Sequence, residues 1–357
     1  MGRIVALIHH FSLYAMRVLI SEHFCSGGLA GHPLDSGLLA EGGAMLRALV
    51  EDVYAATQDV VVLLDERVPF VLPGRVVRVD SRSPAAAQKA FDHAIAGVDA
   101  ALVIAPEHDG LLPAVLERVE QAGVTNLGSS SAAVRDCSDK HALGQRLSSM
   151  GLPVPFGVLG LHHVPTMLDR WGEVVIKPNR GAGCIDTFVC RSATDVATLP
   201  QRSDWLIQQR VPGLAASVAF IVPRHGTPIP LRAGIQAIGA MSTMRAPGHG
   251  GTGRLTYSGG TLPLAPDLEQ RAIRLGLAAL PHLPGLHGYV GIDLIMGETA
   301  EADTLIEVNA RPTVAYAGLR RLARFSIADI IVGTSTRIGW HTGGVRYQAD
   351  GTCERLP

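Results

Sequence analysis

The run Gly291-Ile292-Asp293-Leu294-Ile295-Met296, followed after a short polar turn by Leu305-Ile306-Glu307-Val308-Asn309-Ala310-Arg311, constrains this chain more than any other stretch. Both segments are apolar enough to be strands, and a strand sends alternate side chains to opposite faces. Glu307, Asn309 and Arg311 therefore share one face, and Asp293 stands in the neighbouring strand. A carboxylate inside an apolar run is costly to bury unless it is paired or holds a metal. Magnesium takes oxygen ligands and bridges nucleotide phosphates. These positions therefore predict a phosphate-handling enzyme with its metal on Asp293, Glu307 and Asn309. For an Asp and a Glu taken alone, the competing reading is a solvated edge hairpin.

Upstream, Val174-Val175-Ile176-Lys177-Pro178-Asn179-Arg180-Gly181-Ala182-Gly183 ends an apolar strand on a lysine. The glycine-rich turn that follows can bring backbone N–H groups close to phosphate. Gly-Ala-Gly alone would equally suit a hairpin turn. Strand, lysine and glycine loop, then a distant Asp and a Glu-x-Asn strand, is a more specific order. In that order the chain resembles the ATP-grasp superfamily, over about residues 17–338. The resemblance implies two α+β subdomains that clamp ATP with Mg2+ or Mn2+, preceded by a Rossmann-like α/β domain.

By that likeness Lys177 contacts the phosphates, as does Lys140 in Asp136-Cys137-Ser138-Asp139-Lys140, and Gly181, Ala182 and Gly183 form the loop above them. Asp293, Glu307 and Asn309 hold the metal. The stretch Trp205-Leu206-Ile207-Gln208-Gln209-Arg210-Val211-Pro212-Gly213 falls where the family meets adenine. The backbone around Gln209 and Val211 pairs with the base edge, with Gln208 or Gln209 near the sugar or amino group. Arg311 stabilises an acyl phosphate and the later oxyanion, or pairs structurally with Glu307. D-alanyl dipeptide ligases carry an arginine two residues before the metal-binding Asp. This chain has Gly291 there, and Arg245 is the expected replacement. The run Gly213-Leu214-Ala215-Ala216-Ser217-Val218 also has alanines where many members carry an acid. The absence of G-x-x-x-x-G-K-[ST] argues against a P-loop NTPase, and the lack of an H-R-D and D-F-G pair argues against a protein kinase.

A narrower resemblance lies in Leu19-Ile20-Ser21-Glu22-His23-Phe24-Cys25-Ser26-Gly27-Gly28, in Leu39-Ala40-Glu41-Gly42-Gly43-Ala44-Met45-Leu46 and in Tyr257-Ser258-Gly259-Gly260-Thr261-Leu262-Pro263. These are similar to the tyramine:L-glutamate ligase group of methanofuran biosynthesis and its counterparts in methylotrophic bacteria. The implied function is an ATP-dependent ligase joining glutamate, through an acyl phosphate, to tyrosine, tyramine or a similar amine. Another ATP-grasp peptide or polyglutamate ligase, or a nucleotide-binding protein without catalysis, are the alternatives. Expected substrate contacts are Glu22, Ser26, Gly27, Gly28, Tyr257, Gly259 and Gly260. An ordinary β-to-α turn also accounts for the first four.

Apolar runs at residues 18–20, 60–64, 76–79 and 101–104, with helical spacing over 38–53 and 84–96, predict a parallel sheet covered on both faces. The expected divisions are residues 16–130 for this domain, 131–204 for a small subdomain and 205–357 for a larger one. A single helix is expected over 138–150. Residues 1–15 read as a dispensable extension or mis-assigned start. The 357 residues allow two or three cored domains. With 31 basic against 32 acidic residues, no nucleic-acid partner is expected, only a small carboxylate and amine, with a homodimer allowed. The five cysteines form no C-x-x-C pair, and no run reaches membrane-spanning length, so a cytoplasmic enzyme is expected.

Overall fold

The computed structural model describes residues 16–181, 183–242 and 253–357. The expected extension at residues 1–15 lies outside the described residues, as do Ala182 and Arg245.

Five short runs form β1 (Val18–Glu22), β2 (Val60–Asp65), β3 (Arg75–Val79), β4 (Ala100–Ile104) and β5 (Thr125–Asn126). They build one parallel sheet in the order β3-β2-β1-β4-β5. Every residue of β1, β2 and β4 is buried, so these strands read as continuous runs and not as alternating ones. Helix α1 (Ser36–Thr57) covers one face, where Val18 and Ile20 meet Leu46 and Leu49. Helices α2 (Pro84–Ile95) and α3 (Leu111–Gln121) cover the other, where Leu19 meets Phe91 and Leu116. The strand order reverses between β1 and β4. Ligands of open parallel sheets bind beyond the carboxyl ends at such a point.

The helix expected over residues 138–150 is α5 (Lys140–Ser149), and a further short helix, α4 (Ser131–Ser138), precedes it. The break is Asp139, at φ −87° and ψ 89°, whose carboxylate accepts the Ala142 N–H as the N-cap of α5. A capping Asp inside an apparent helical run stops the first helix and starts the second.

The remaining elements are β6 (Gly157–Leu159), α6 (Val164–Trp171), β7 (Val174–Pro178), β8 (Phe188–Cys190), β9 (Trp205–Gln209), β10 (Leu214–Val222), β11 (Ile229–Pro230), β12 (Gly234–Ser242) and β13 (Gly253–Leu262). After them come α7 (Pro266–Ala279), β14 (Gly288–Met296), β15 (Thr304–Asn309), α8 (Ala315–Leu322), α9 (Ile327–Ile331), β16 (Gly344–Gln348) and β17 (Cys353–Leu356). The main path of this second sheet is β15-β14-β10-β12-β13-β8-β7-β9-β6. Strands β6 to β9 and α6 enclose a separate small core that includes Val164, Ile176, Trp205 and Ile207. This lobe joins the rest of the sheet through two residue pairs of β8 and β13, Val189 with Gly253 and Phe188 with Arg254. A cleft opens between the lobe and the β10-β14-β15 platform.

Candidate active site

The ladder between β14 and β15 sets Asp293 opposite Glu307 and Gly291 opposite Asn309. The Asp293 carboxylate is steadied on both oxygens, by Gln236 Nε2 at 2.9 Å and by Asn309 Nδ2 at 3.1 Å. Burial, with the Glu307 charge adding to it, holds the Asp293 carboxyl up at about 7. A buried carboxylate facing a second carboxylate is stabilised by a bound cation. Among the described residues no three His, Cys, Asp or Glu side chains are grouped to hold a metal, so a site on Asp293 and Glu307 needs a further oxygen, which the adjacent Asn309 amide can supply. Two carboxylates and an amide oxygen are a hard donor set, which fits magnesium or manganese.

Opposite this floor stand two lysines. The end of β7 is sewn to the start of α5: the Lys140 N–H donates to the Asn179 carbonyl at 3.2 Å, and the His141 N–H to Asn179 Oδ1 at 2.8 Å. Asn179 Nδ2 also donates to Asp139 Oδ1 at 3.0 Å. That stitching brings Lys140 and Lys177 into one cleft. Lys140 Nζ lies 3.2 Å from Glu307 Oε1 and donates to the Gly181 carbonyl at 2.5 Å. A helix N-terminus disfavours a cation, and Glu307 supplies the compensating charge. Lys177 is buried, which lowers its pKa, while Glu307 opposes the shift.

The cleft has a volume of about 380 Å³. Its wall brings together the lysines Lys140 and Lys177, the glycines Gly181 and Gly183, and the Asp293, Glu307 and Asn309 set. Arg311 and Tyr257 border the same space. Gln208, Gln209 and Val211 line it as well.

A family model described as the ATP-grasp domain matches residues 137–315, half of the chain. The chain belongs to the ATP-grasp family. A second model, the pre ATP-grasp 3 domain, matches residues 58–134. A tyramine–L-glutamate ligase of Methanocaldococcus fervens is 25% identical over 236 residues, 66% of this chain. The match spans 65%, just under two thirds, of that relative's length. Among solved structures, an ATP-grasp superfamily protein from Archaeoglobus fulgidus matches 93% of this chain and 92% of its own, with TM-score 0.67 and 22% identity. An L-amino acid ligase from Bacillus licheniformis matches 93% of this chain and 79% of its own, with TM-score 0.62 and 13% identity. The ATP-grasp fold with its pre-ATP-grasp domain, expected from the sequence, is the fold observed.

Within this ATP-grasp chain several predicted contacts lie elsewhere. The Gln209 backbone N–H donates to the Phe156 carbonyl at 2.8 Å, so that donor is spent within the protein although Gln209 lines the cleft. Glu22, Ser26, Gly27 and Gly28 form the turn after β1, outside the cleft wall. Glu22 Oε2 accepts the Cys25 N–H at 2.9 Å, and Ser26 Oγ accepts the Glu22 N–H at 3.1 Å while donating to the Leu63 carbonyl at 2.6 Å. Their polar groups hold the turn. Gly259 and Gly260 pack under β16, where an added Cβ would come within 2.0 Å of the Tyr347 carbonyl oxygen and 2.5 Å of its hydroxyl. That close approach accounts for both glycines without a ligand.

Two residues that touch Asp293 and Arg311 went unnoticed in the sequence. Gln236 is one. The other is Glu107, just past β4, whose carboxylate is wholly buried and lies 3.5 Å from Arg311 Nε. At that length neither oxygen makes a hydrogen bond among the described residues. Burial raises the Glu107 pKa and the Arg311 charge opposes it. Glu307, the structural partner considered for Arg311, is engaged by Lys140 instead. The signal that would have found Glu107 is its place at the carboxyl end of a central parallel strand.

Proposed function

We propose that this chain is an ATP-dependent carboxylate-amine ligase that joins glutamate to an aromatic amine of the tyrosine or tyramine type, in methanofuran-like cofactor biosynthesis. The observation that supports this most is the convergence of Asp293, Glu307 and Asn309 with Lys140, Lys177 and Arg311 on one cleft. A carboxylate is a poor acyl donor because oxide would have to leave. Transfer of the γ-phosphoryl group of ATP to a carboxylate oxygen gives an acyl phosphate and ADP. The amine then attacks the carbonyl carbon, phosphate departs, the amide forms and the nitrogen loses a proton.

Phosphoryl transfer leaves side chains little covalent work and much positioning. Lys140 and Lys177 supply fixed positive charge beside the phosphates, and the N–H groups of the glycine loop approach them. Asp293, Glu307 and Asn309 hold magnesium or manganese, which neutralises phosphate charge when bound. Arg311 presents a planar guanidinium to the acyl phosphate and then to the oxyanion of the tetrahedral intermediate. On this reading residues 16–130 supply the substrate side, and 131–204 and 205–357 the two jaws.

The test is to incubate the protein with Mg-ATP, glutamate and a panel of aromatic amines, following ADP and product masses. Amine-dependent ADP with a glutamyl-tyramine or glutamyl-tyrosine mass is the expected result. ADP release driven by amino acids or by glutamate alone would move the assignment to a peptide or polyglutamate ligase. Nucleotide binding with no such ADP would leave a non-catalytic protein.

A further inference from the structure

Besides Asp293 and Glu307, the cleft wall carries a third carboxylate, Glu41. It comes from α1 in the parallel-sheet domain, whereas the other two stand on β14 and β15. The rotation of α1 is set by its next two residues. An added Cβ on Gly42 would lie 2.5 Å from the Glu22 carboxyl, and one on Gly43 2.6 Å from the Phe70 ring. With both glycines pressed inward, Glu41 is turned to the cleft. Its Oε1 stands 4.0 Å from where a Cβ on Gly183 would be, and its charge acts on Cys184 and Tyr257.

Each of the other two acids has a partner: Lys140 for Glu307, Gln236 and Asn309 for Asp293. Glu41 is half-buried and has none within bonding distance among the described residues; burial opposes its charge, and Arg311 favours it from beyond ion-pair range. A carboxylate that faces a cleft with no donor of its own leaves its oxygens open to a ligand's donors. A ligand carrying N–H donors and positive charge suits them. Both substrates of the ligase bear one: the acceptor amine is protonated in water, and glutamate has its α-ammonium.

We propose that Glu41 is the ammonium-binding residue of the cleft, holding the protonated primary amine of a substrate while Arg311 takes a carboxylate. This rests on the ligase assignment. It gives the cleft a negative pole from one domain and a positive pole from the other. A substrate pair of opposite charge is thereby oriented before either bond is made.

The experiment uses the full chain with Glu41→Gln and Glu41→Asp, each checked by thermal melting against the wild type. Steady-state ADP release gives KM for tyramine, glutamate and ATP separately. Glu41→Gln is expected to raise KM tenfold or more for one ammonium substrate, with KM for ATP within twofold, and Glu41→Asp to recover part of the loss. A rise confined to tyramine assigns the acceptor; one confined to glutamate assigns its α-ammonium. Unchanged KM for both, or a parallel rise in KM for ATP, overturns the proposal. A wild type with no amine-dependent ADP release defeats the ligase assignment instead. Calorimetric titration of tyramine and glutamate into wild type and Glu41→Gln, each loaded with a non-hydrolysable ATP analogue, then decides Glu41 alone. Binding lost in the variant sustains it, and equal binding, or none to the wild type, overturns it.

Discussion

Glu22 closes β1 with its carboxyl buried and the Cys25 N–H donating to it. Burial raises its pKa from 4.5 to about 7. A carboxyl raised by folding stabilises the fold in its protonated form, so its contribution is complete below pH 4.5 and disappears as pH climbs through 7. That shift corresponds to at most about 3 kcal/mol. In urea melts from pH 4 to 8, Glu22→Gln should flatten this fall in stability; a slope equal to that of the wild type would refute the assignment. At the cleft floor, Asn309→Ala should fold normally and lower turnover by about two orders of magnitude. Full ADP release by that variant would remove Asn309 from the metal set. The floor was legible because alternation along a strand is local. The Arg311 and Glu107 pair was not, since 204 residues separate its members and no spacing rule reaches that far.

Elements show where local pattern meets packing. Gly42 and Gly144 are both helical glycines with opposite surroundings: a Cβ on Gly42 would run into the Glu22 carboxyl at 2.5 Å, whereas one on Gly144 meets nothing within 4 Å. Gly42→Ala should therefore destabilise by about 1–3 kcal/mol through overpacking. Gly144→Ala should stabilise by up to about 1 kcal/mol through helix propensity. Chemical denaturation of the pair reads the sign directly, and two changes of the same sign would contradict the packing account. The strands of the parallel sheet were legible from their apolar runs. The separate helix α4 was not, because the Asp139 cap that divides it from α5 is held by the distant residues Asn179 and Arg180. The closing hairpin was overlooked although Asp350-Gly351 between the alternating runs of β16 and β17 is a recognised turn signal.

At the scale of the molecule, the two larger cores each mix residues of both sheets; Ile20 and Leu64 share a cluster with Ile221, Tyr289 and Tyr316. Asp52 on α1 adds a polar tie, accepting from the Tyr316 hydroxyl at 2.9 Å and from Arg320 Nε at 3.0 Å on α8. Asp52→Ala leaves that hydroxyl buried without its acceptor and should cost about 2–4 kcal/mol in a denaturant melt. A cost under about 0.5 kcal/mol would show the tie to be dispensable. The lobe of residues 157–209 has its own small core and is tied to the rest by its narrow junction with β13 and by the contacts of Asn179 and Arg180 with the start of α5. Its amides should exchange hydrogen at lower free energy than those of β1, β2 and β4. Uniform protection across all three sets would mean the lobe is no separate unit.

That junction bears on how the protein can be altered. A module with its own interior, entered and left by the chain at one edge of the cleft, can be transplanted whole. Swapping it between relatives would exchange the proposed grip on phosphate at Lys177 and the glycine loop, while the proposed substrate contacts Glu41 and Arg311 stay behind on the recipient.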